Sequence, residues 1–471
     1  MPGDAGQREF PRQTRWSRGV LVVVIAAMIL AACGSSGSKA GTGAKPGTNS
    51  PSVTSKTLGS GVTADSIKIG ISLIDFKCIQ QFIDFTRPNQ QAIYQDFVDA
   101  VNKGGGINGR KLVADFNTEC PLTSTSDLLV QICTHFTDDD KVFAVLGNLS
   151  DAAQDDAIHT CIAKKKNTPL ITFDVTQAMI GQVPPAMLIF PGTTPERSSG
   201  VLFELLQKQH LLKGKKLAVL ADQTSQVSVK AAVLPAIKKT GVATGTTAYL
   251  TINGADTTAA QSQLDSFIQR WKSEGVNAIF VTGENTVTKQ FVEKVTKQLP
   301  GVMLMTDTGD ALAQGQDETK AGMDPNPYQD MYIAGGFAAA DYAKSDNWKY
   351  CSGIYKAATG RTPPGPLTVR KVKVGGKEYT DETYNTINDA CQMISTFAEI
   401  VAKTGQYVNV PNWVAAVNSF GPIVNRGGGP YASLSQGKYD DDDTFQLQQF
   451  DSALPPNGNW KPLTPYENLS K

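Results

Sequence analysis

Residues 97–112 read Phe-Val-Asp-Ala-Val-Asn-Lys-Gly-Gly-Gly-Ile-Asn-Gly-Arg-Lys-Leu, a helical pattern that runs through glycines into a β-strand. Ile93, Phe97 and Val101 share one face of the predicted helix, and residues 111–116 form the predicted strand. The glycines between them satisfy G-x-G-x-x-G, but a dinucleotide site requires this motif to leave a strand and open a helix. Because the order here is reversed, the glycines are expected to end the helix and form a tight turn.

The same alternation of strands and helices extends outward from this stretch and then restarts. The first half has strands predicted at 67–73, 111–116, 142–146, 170–173 and 187–190, with helices at 124–136 and 152–166. The second half has strands predicted at 216–220, 247–250, 278–281, 302–305 and 331–333, with helices near 227–239, 257–274 and 287–298. Strands separated by helices of this length pair in parallel through right-handed crossovers. The predicted fold class is therefore α/β, with two doubly wound parallel-sheet lobes.

The last part of the chain has a mixed pattern. It predicts a hairpin that turns at Gly375 and Gly376, a helix over 384–403 and a late strand over 444–450. Four consecutive aspartates at 440–443 could attract Ca²⁺, but they lack the spaced ligands and glycine turn of a calcium loop. We expect these aspartates to form a solvated linker instead.

Residues 97–112 resemble the first helix–turn–strand unit of type I periplasmic binding proteins of the branched-chain amino-acid (Leu/Ile/Val-binding) class. Segments 67–70, 145–148, 168–171 and 190–194 are similar to that family in order and spacing. The likeness runs from about residue 65 to the C-terminus, and it implies a bilobal receptor that traps a solute by hinge closure. The chain would cross between lobes near residues 192, 335 and 443. Lobe 1 would comprise 66–192 and 336–443, and lobe 2 would comprise 193–335 and 444–471.

The resemblance implies that the solute lies between the lobes, where the carboxyl ends of parallel strands bring backbone N–H groups and helix starts together. The candidate ligand-binding residues in the loops that follow the strands are Asn148, Leu149, Ser150, Asp174 and Thr176 of lobe 1 and Gln226, Glu284, Asp307 and Thr308 of lobe 2. Phe76 in the first loop is the candidate for an apolar wall. Each of the polar residues has an alternative role as a helix N-cap or in an Asx turn.

Several of these residues differ from the amino-acid binders that the sequence resembles. Ser150 and Thr176 fit the hydroxyl role that such proteins use for the solute carboxylate. In contrast, Gln226 stands where an aromatic residue is expected, Thr308 aligns with the usual acid, and Asp174 would repel a carboxylate. These differences disfavour branched-chain amino acids and equally allow a polar, cationic or hydroxyl-bearing solute.

The N-terminal region is typical of an export signal. An arginine-rich start precedes an apolar run over 20–30, which is shorter than the roughly 20 residues that span a bilayer. The run ends at Leu30-Ala31-Ala32-Cys33, which resembles the bacterial lipobox and implies lipidation of Cys33; the alternative is a short membrane anchor. We predict a signal peptide over 1–32 and, because 33–65 is rich in Gly, Ser, Thr and Lys, a flexible tether over 33–65.

Six further cysteines are expected to meet an oxidising environment, which favours disulfides but leaves the pairing open. Metal binding by Cys133 with His135, or by His159 with Cys161, is the alternative. Residues two apart on a helix point to nearly opposite faces, so neither pair can hold one ion together. The topology that the resemblance implies favours the pairs Cys78–Cys120, Cys133–Cys161 and Cys351–Cys391. We expect neither a metal ion nor a cofactor.

Composition limits the function further. The 471 residues carry 44 Lys and Arg against 44 Asp and Glu, so the chain lacks the basic excess that nucleic-acid binding requires. The chain has three histidines and neither a G-x-S-x-G elbow nor an HExxH pair, which disfavours a hydrolase and leads us to expect no enzymatic activity.

The predicted function is that of an extracytoplasmic solute-binding protein of an ABC uptake transporter. It would be a monomer, anchored to a bacterial membrane through Cys33, that captures a small polar, amino-acid-like or related solute and delivers it to a membrane permease. The alternative is a ligand-sensing or adhesive envelope receptor that uses the same fold without transport.

Overall fold

The computed structural model describes residues 53–80, 83–120, 126–147, 157–173, 175–251, 257–283, 288–307, 319 and 322–469. The predicted signal peptide, Cys33 and most of the predicted tether lie outside these residues. Strands and helices are numbered along the chain.

The first lobe contains a five-stranded sheet in the order β3-β1-β4-β5-β6, in which all neighbouring strands are parallel. Its strands are β1 (Ser66–Ile74), β3 (Lys111–Glu119), β4 (Ala144–Gly147), β5 (Leu170–Thr172) and β6 (Leu188–Ile189). Its helices are α1 (Phe76–Ile79), α2 (Gln90–Lys103), α3 (Ser126–Thr134), α4 (Ala157–His159), α5 (Gln177–Gln182), α11 (Ala339–Tyr342), α12 (Asp346–Thr359), α13 (Thr383–Lys403) and α14 (Val410–Asn418). Helices α3 and α4 continue as π-helical turns at His135–Asp139 and Thr160–Lys165.

Two small sheets add to this lobe. Strand β2 (Phe85–Thr86) pairs with a hairpin made of β12 (Lys371–Val374) and β13 (Lys377–Asp381). The hairpin turns at Gly375 and Gly376, which confirms the predicted turn. Strands β14 (Gly421–Pro422) and β15 (Ser433–Leu434) form a separate ribbon.

The second lobe repeats the same strand order. Its sheet runs β17-β16-β11-β10-β9-β7-β8, and β8, β7, β9, β10 and β11 are parallel. The strands are β7 (Lys216–Asp222), β8 (Ala243–Leu250), β9 (Ala278–Thr282), β10 (Met303–Thr306), β11 (Tyr332–Gly335), β16 (Thr444–Asp451), β17 (Asn459–Pro462) and β18 (Glu467–Asn468). The helices are α6 (Pro195–Lys208), α7 (Gln226–Ser228), α8 (Leu234–Thr240), α9 (Thr257–Glu274) and α10 (Thr288–Gln298), with a π-helical turn at Val229–Val233 and a 3₁₀ turn at Asn326–Tyr328.

The central strands of both lobes are apolar because helices cover both faces of a parallel sheet. All four residues of β4 and all five of β9 are buried. One hydrophobic core joins residues from 62 to 190 with residues from 342 to 439, and the cores around the second sheet join residues from 201 to 334 with residues from 445 to 460. The chain therefore passes between the lobes three times, and the predicted α/β fold class with two doubly wound lobes is confirmed.

The three crossover segments lie against one another. Residues 190 and 440 form a parallel bridge, and the N–H groups of Asp441 and Asp442 donate to the carbonyls of Phe190 and Gly192 at 3.0 and 3.1 Å. Gly336 lies in the crossover segment near residue 335. Its carbonyl accepts hydrogen bonds from the side-chain amides of Gln446 and Gln448 at 3.0 and 2.9 Å. These contacts form the hinge between the lobes.

The prediction of a solvated linker over 440–443 is wrong. All four aspartates are buried, with at most 8% of each residue exposed. Arg197 approaches Asp440 and Asp443 at 3.2 and 2.5 Å, and Lys438 approaches Asp443 at 3.0 Å. The run is buried because it forms one of the crossover segments, where two cations partly balance its charge.

The described end of the predicted tether is attached to lobe 1. Asn412 accepts hydrogen bonds from the backbone N–H groups of Thr54 and Ser55 at 2.8 and 3.1 Å, and the N–H of Gly59 donates to the carbonyl of Val408. Residues 54–59 therefore do not form part of a free tether. None of the helices within the described ranges is long and apolar enough to cross a membrane.

Candidate functional site

The carboxyl edge of the first sheet is shaped by a close approach between β4 and β1. Gly147 ends β4 with a φ of +124°, and a Cβ atom at this position would lie 2.1 Å from the carbonyl oxygen of Ser72. Only glycine fits this geometry. The candidate residues Asn148, Leu149 and Ser150 follow immediately and lie outside the described residues.

The next loop of lobe 1 leads into α5. Thr176 is the N-cap of this helix, because its hydroxyl oxygen accepts a hydrogen bond from the N–H of Met179 at 3.1 Å. Thr176 therefore has the alternative role of a helix cap. Its hydroxyl oxygen accepts in this cap, and the same hydroxyl can also donate a hydrogen bond. Asp174 lies outside the described residues, and Val175 between them is buried.

Phe76 begins α1 directly after β1, at the same edge of the sheet. Its ring is only 7% exposed, packs 6.1 Å from the ring of Phe85 and lies under the guanidinium of Arg87 at 5.3 Å. Arg87 in turn forms an ion pair with Asp389 on α13 at 2.8 Å. Phe76 thus packs between Phe85 and Arg87 and exposes little surface to a solute.

The second lobe has an equivalent close approach at its carboxyl edge. Gly283 follows β9 with a φ of +91°, and a Cβ atom there would lie 1.9 Å from the Asp222 carboxylate. Asp222 ends β7, is 5% exposed, and accepts hydrogen bonds from Thr224 and from both the N–H and the hydroxyl of Ser225. The carboxylate thereby fixes the loop that carries the candidate Gln226, which begins α7 and is half-buried.

Asp307 lies at the same edge of the second sheet, directly after β10. It is fully buried, and its carboxylate accepts a hydrogen bond from the Thr282 hydroxyl at the end of β9. Asp307 therefore links the ends of β9 and β10. The candidates Glu284 and Thr308, which are the next residues along these two loops, lie outside the described residues.

The two edges come together beside the hinge. Helix α5 of lobe 1 contacts α7 of lobe 2, so the helices that begin at Gln177 and Gln226 are neighbours. Thr176 and Gln226, predicted in opposite lobes, are therefore brought to the same region of the molecule.

The hinge also holds the most strongly perturbed acids. Burial raises the pKa of Asp442 to about 7, and burial, together with the charge of Asp442, raises the pKa of Asp441 well above its usual value. Asn425 donates a hydrogen bond to Asp441 at 2.7 Å.

The hinge is also closely packed at three adjacent glycines, 427–429. A side chain would not fit at Gly429, because a Cβ atom there would lie 2.1 Å from the side chain of Thr444.

The structure joins the cysteines in the pairs Cys78–Cys120, Cys133–Cys161 and Cys351–Cys391. The first bridge joins α1, which follows β1, to the residue that follows β3, at the edge that carries Phe76.

The disulfides also decide the alternative of metal binding. Because Cys133 and Cys161 are joined, neither sulfur is a thiolate that could bind a metal with His135 or His159. Burial lowers the pKa of His159 to about 4, so this imidazole is neutral.

One group within the described ranges has the spacing of metal ligands. Donor atoms of Asp115, His135 and Asp140 lie within 4.8 Å of one another. The imidazole approaches Asp115 at 3.0 Å and Asp140 at 3.4 Å, and Lys68 donates to Asp140 at 2.6 Å. Since Lys68 forms an ion pair with Asp140 and the imidazole of His135 lies between both carboxylates, we assign no metal to this group.

A cavity of about 550 Å³ lies on the outer face of lobe 1, between α2, α12 and α13. Phe97, Tyr350, Ile394 and Glu399 are among its lining residues, and burial raises the pKa of Glu399. Its lining includes residues 106–108, just before the amino end of β3, and contains none of the candidate ligand-binding residues.

The chain belongs to the periplasmic binding protein family, because residues 85–372, more than half of its length, match that family. No match was found among curated proteins. The fold agrees with this assignment, since the molecule has the type I arrangement of two parallel-sheet lobes joined by three crossovers.

Solved structures share this fold at low sequence identity. A solute-binding protein of an ABC transporter from Rhodopseudomonas palustris BisB5, in complex with 3,4-dihydroxybenzoic acid, is 15% identical with a TM-score of 0.60, over 86% of this chain and 98% of that chain. A substrate-binding protein from Desulfitobacterium hafniense, in complex with leucine, is 14% identical with a TM-score of 0.57, over 84% and 100%. A fatty acid transporter substrate-binding protein from Thermomonospora curvata is 14% identical with a TM-score of 0.58, over 86% and 94%.

Proposed function

We propose that the protein is the solute-binding component of an ABC uptake transporter, lipid-anchored at Cys33 on the extracytoplasmic face of a bacterial membrane. It captures a small polar solute, amino-acid-like or related, between its lobes and delivers it as a monomer to a membrane permease. Its role is binding and delivery rather than catalysis. The observation that carries this proposal is the contact of α5 with α7, which brings candidate loops from opposite lobes together beside a three-segment hinge.

The family and the disulfides support the extracytoplasmic location. Periplasmic binding proteins act outside the cytoplasm, and three disulfides are expected in an oxidising compartment. The lipobox-like Leu30-Ala31-Ala32-Cys33 supports lipid anchoring. Fractionation of cells that produce Cys33→Ser tests this step: the variant should leave the membrane fraction, and retention there would contradict the anchor.

The chemical class of the solute is proposed from the similar structures. Two of these structures hold an aromatic acid and an amino acid, and a third is named for fatty acids, so carboxylic acids are the first compounds to screen. The polar candidates Gln226 and Thr176 equally suit amides, polyamines and sugars.

A thermal-shift screen of residues 53–471 against amino acids, amides, polyamines, sugars and aromatic acids tests the function. A solute present at roughly 100 times its Kd should stabilise the fold by about 2.7 kcal/mol, because only the folded state binds it. The absence of a shift with every class would contradict solute capture and favour an adhesive envelope receptor.

A further inference from the structure

Glu196 lies in the first turn of α6, directly after the first crossover segment, and its carboxylate contacts both lobes. One oxygen accepts a hydrogen bond from the backbone N–H of Gln177 at 3.1 Å, and the other accepts from the hydroxyl of Ser228 at 2.6 Å. Gln177 is the first residue of α5 in lobe 1, and Ser228 is the last residue of α7 in lobe 2.

The same contacts continue into the hinge. The side-chain amide of Gln177 donates to the hydroxyl oxygen of Thr194 at 2.9 Å, and that hydroxyl donates to Asp440 at 3.1 Å. Asp440 also pairs with Arg197 at 3.2 Å. A continuous series of hydrogen bonds therefore connects the two loops with two of the crossover segments.

The position of Glu196 matters because of its neighbours. Thr176 immediately precedes Gln177, and Gln226 lies two residues before Ser228, so each bond holds a loop that carries a candidate solute contact. Ser228 belongs to the same lobe as Glu196 and orients the carboxylate, whereas Gln177 belongs to the opposite lobe. Any rotation that separates α5 from α7 must break the bond to Gln177.

We propose that Glu196 is a positioning residue that fixes the two candidate solute-binding loops relative to each other and holds the lobes in the arrangement seen here. Hydrogen bonds to a carboxylate are stronger than those between neutral groups. The single carboxylate of Glu196 can therefore link α5 and α7 through its two oxygens. The contribution to solute retention rests on the proposed function, but the link between the lobes does not. A purely local role, in which an acid favours the first turn of its own helix, requires no contact with Gln177 or Ser228.

Hydrogen–deuterium exchange of the solute-free protein tests the link. In Glu196→Ala, the N–H of Gln177 should exchange about tenfold faster, because it loses a charged acceptor. Ser228→Ala should have a smaller effect of the same sign, and it decides the question if Glu196→Ala does not fold. The matched control is Glu204→Gln on the same helix, whose exposed carboxylate pairs only with Lys208 among the described ion pairs.

The amides of β1 and β4 serve as the internal reference. Faster exchange confined to α5 and α7 supports the proposal. Unchanged exchange at Gln177, or an equal increase throughout both lobes, overturns it, since the first shows no link and the second shows only general destabilisation.

Binding kinetics extend the test to the solute, with leucine and 3,4-dihydroxybenzoate as probes. For a probe that binds the wild type, Glu196→Ala should raise the dissociation rate about tenfold and leave the association rate unchanged, because the lobes separate more easily once the bond to Gln177 is lost. An unchanged dissociation rate overturns the role in retention. If neither probe binds, the proposed solutes are in doubt while the exchange experiment still decides the role of Glu196.

Discussion

At the scale of single residues, the strand ends are shaped by close approaches that only glycine permits. Gly147 and Gly283 hold equivalent places at the ends of β4 and β9, each with a positive φ and each packed against the end of the neighbouring first strand. Gly147 lies against the backbone of Ser72, whereas Gly283 lies against the side chains of Asp222 and Ser225.

Replacing Gly147 with alanine should lower the free energy of unfolding by about 3 kcal/mol, because the added Cβ would collide with the Ser72 carbonyl at an unfavourable φ. Gly353→Ala is the matched control: it lies on an exposed face of α12 with open space around it, and alanine there should stabilise the helix by about 0.5–1 kcal/mol. Urea denaturation measures both changes. Equal effects of the two substitutions would contradict the close approach.

A second prediction concerns the pH dependence of the hinge. Because burial raises the pKa of Asp442 to about 7, the folded protein binds this proton more tightly than the unfolded chain does. Its contribution to stability is therefore fully present below about pH 4 and is lost as the pH rises through about 7. Burial is the main cause of the raised pKa, the charge of Asp443 raises it further, and the charge of Arg197 lowers it. The charge of Asp442 in turn raises the pKa of Asp441.

Asp442→Asn should accordingly match the wild type near pH 4 and exceed its stability above pH 7, by at most a few kcal/mol. Unfolding by urea at pH 4, 6 and 8 measures the difference. The control Asp346→Asn changes an exposed carboxylate whose pKa is lowered by Lys349, so it should have a small effect of opposite sign. A constant difference between Asp442→Asn and the wild type at all three pH values would contradict the prediction.

At the scale of elements, lobe 1 is held together by contacts between helices that are distant in sequence. The Cys351–Cys391 bridge joins α12 to α13, and twelve residues of α13 are buried, eight of them in the hydrophobic core of lobe 1. Cys351→Ala with Cys391→Ala should lower the free energy of unfolding by about 2–4 kcal/mol, largely through the greater freedom of the unfolded chain. Calorimetry of the double variant under oxidising conditions tests this. A free energy of unfolding equal to that of the wild type would contradict a stabilising role for the bridge.

The parallel strands could be predicted because buried strands read as short apolar runs. Helices α6, α12 and α14 were not predicted. Helices α6 and α14 nevertheless have start signals, since each has Pro in its first turn after Thr194 or Asn409 at the N-cap position. The signal is weaker in α12, where Gly353 and aromatic residues lower the helix propensity.

The candidate site was predicted only in part, because its key contacts join distant parts of the chain. Asp222 and Glu196 were both missed. The partners of Glu196 are 19 and 32 residues away, whereas Thr224 and Ser225, which bond to Asp222, are only two and three residues away and form a local turn that a search for Asx turns could have found. The burial of 440–443 depends on Arg197, which is 246 residues from Asp443. Periodicity reports which face of an element is buried, and it contains no information about such pairs.

At the scale of the whole molecule, two lobes with the same strand order meet at a hinge of three crossover segments. Helix α5 of one lobe contacts α7 of the other, so loops at the carboxyl edges of both sheets are neighbours. The proposed function predicts that hinge closure couples capture of a solute to a change in the relative position of the lobes.

Titration calorimetry with the solute that gives the largest thermal shift tests the central claim most directly. Ser150→Ala in lobe 1 and Gln226→Ala in lobe 2 should each raise the Kd about tenfold, because each removes a polar contact to the same solute. Tyr350→Ala, at the rim of the outer cavity, should leave the Kd unchanged. An unchanged Kd in both lobe variants, with a raised Kd in Tyr350→Ala, would place the solute outside the cleft and contradict the account.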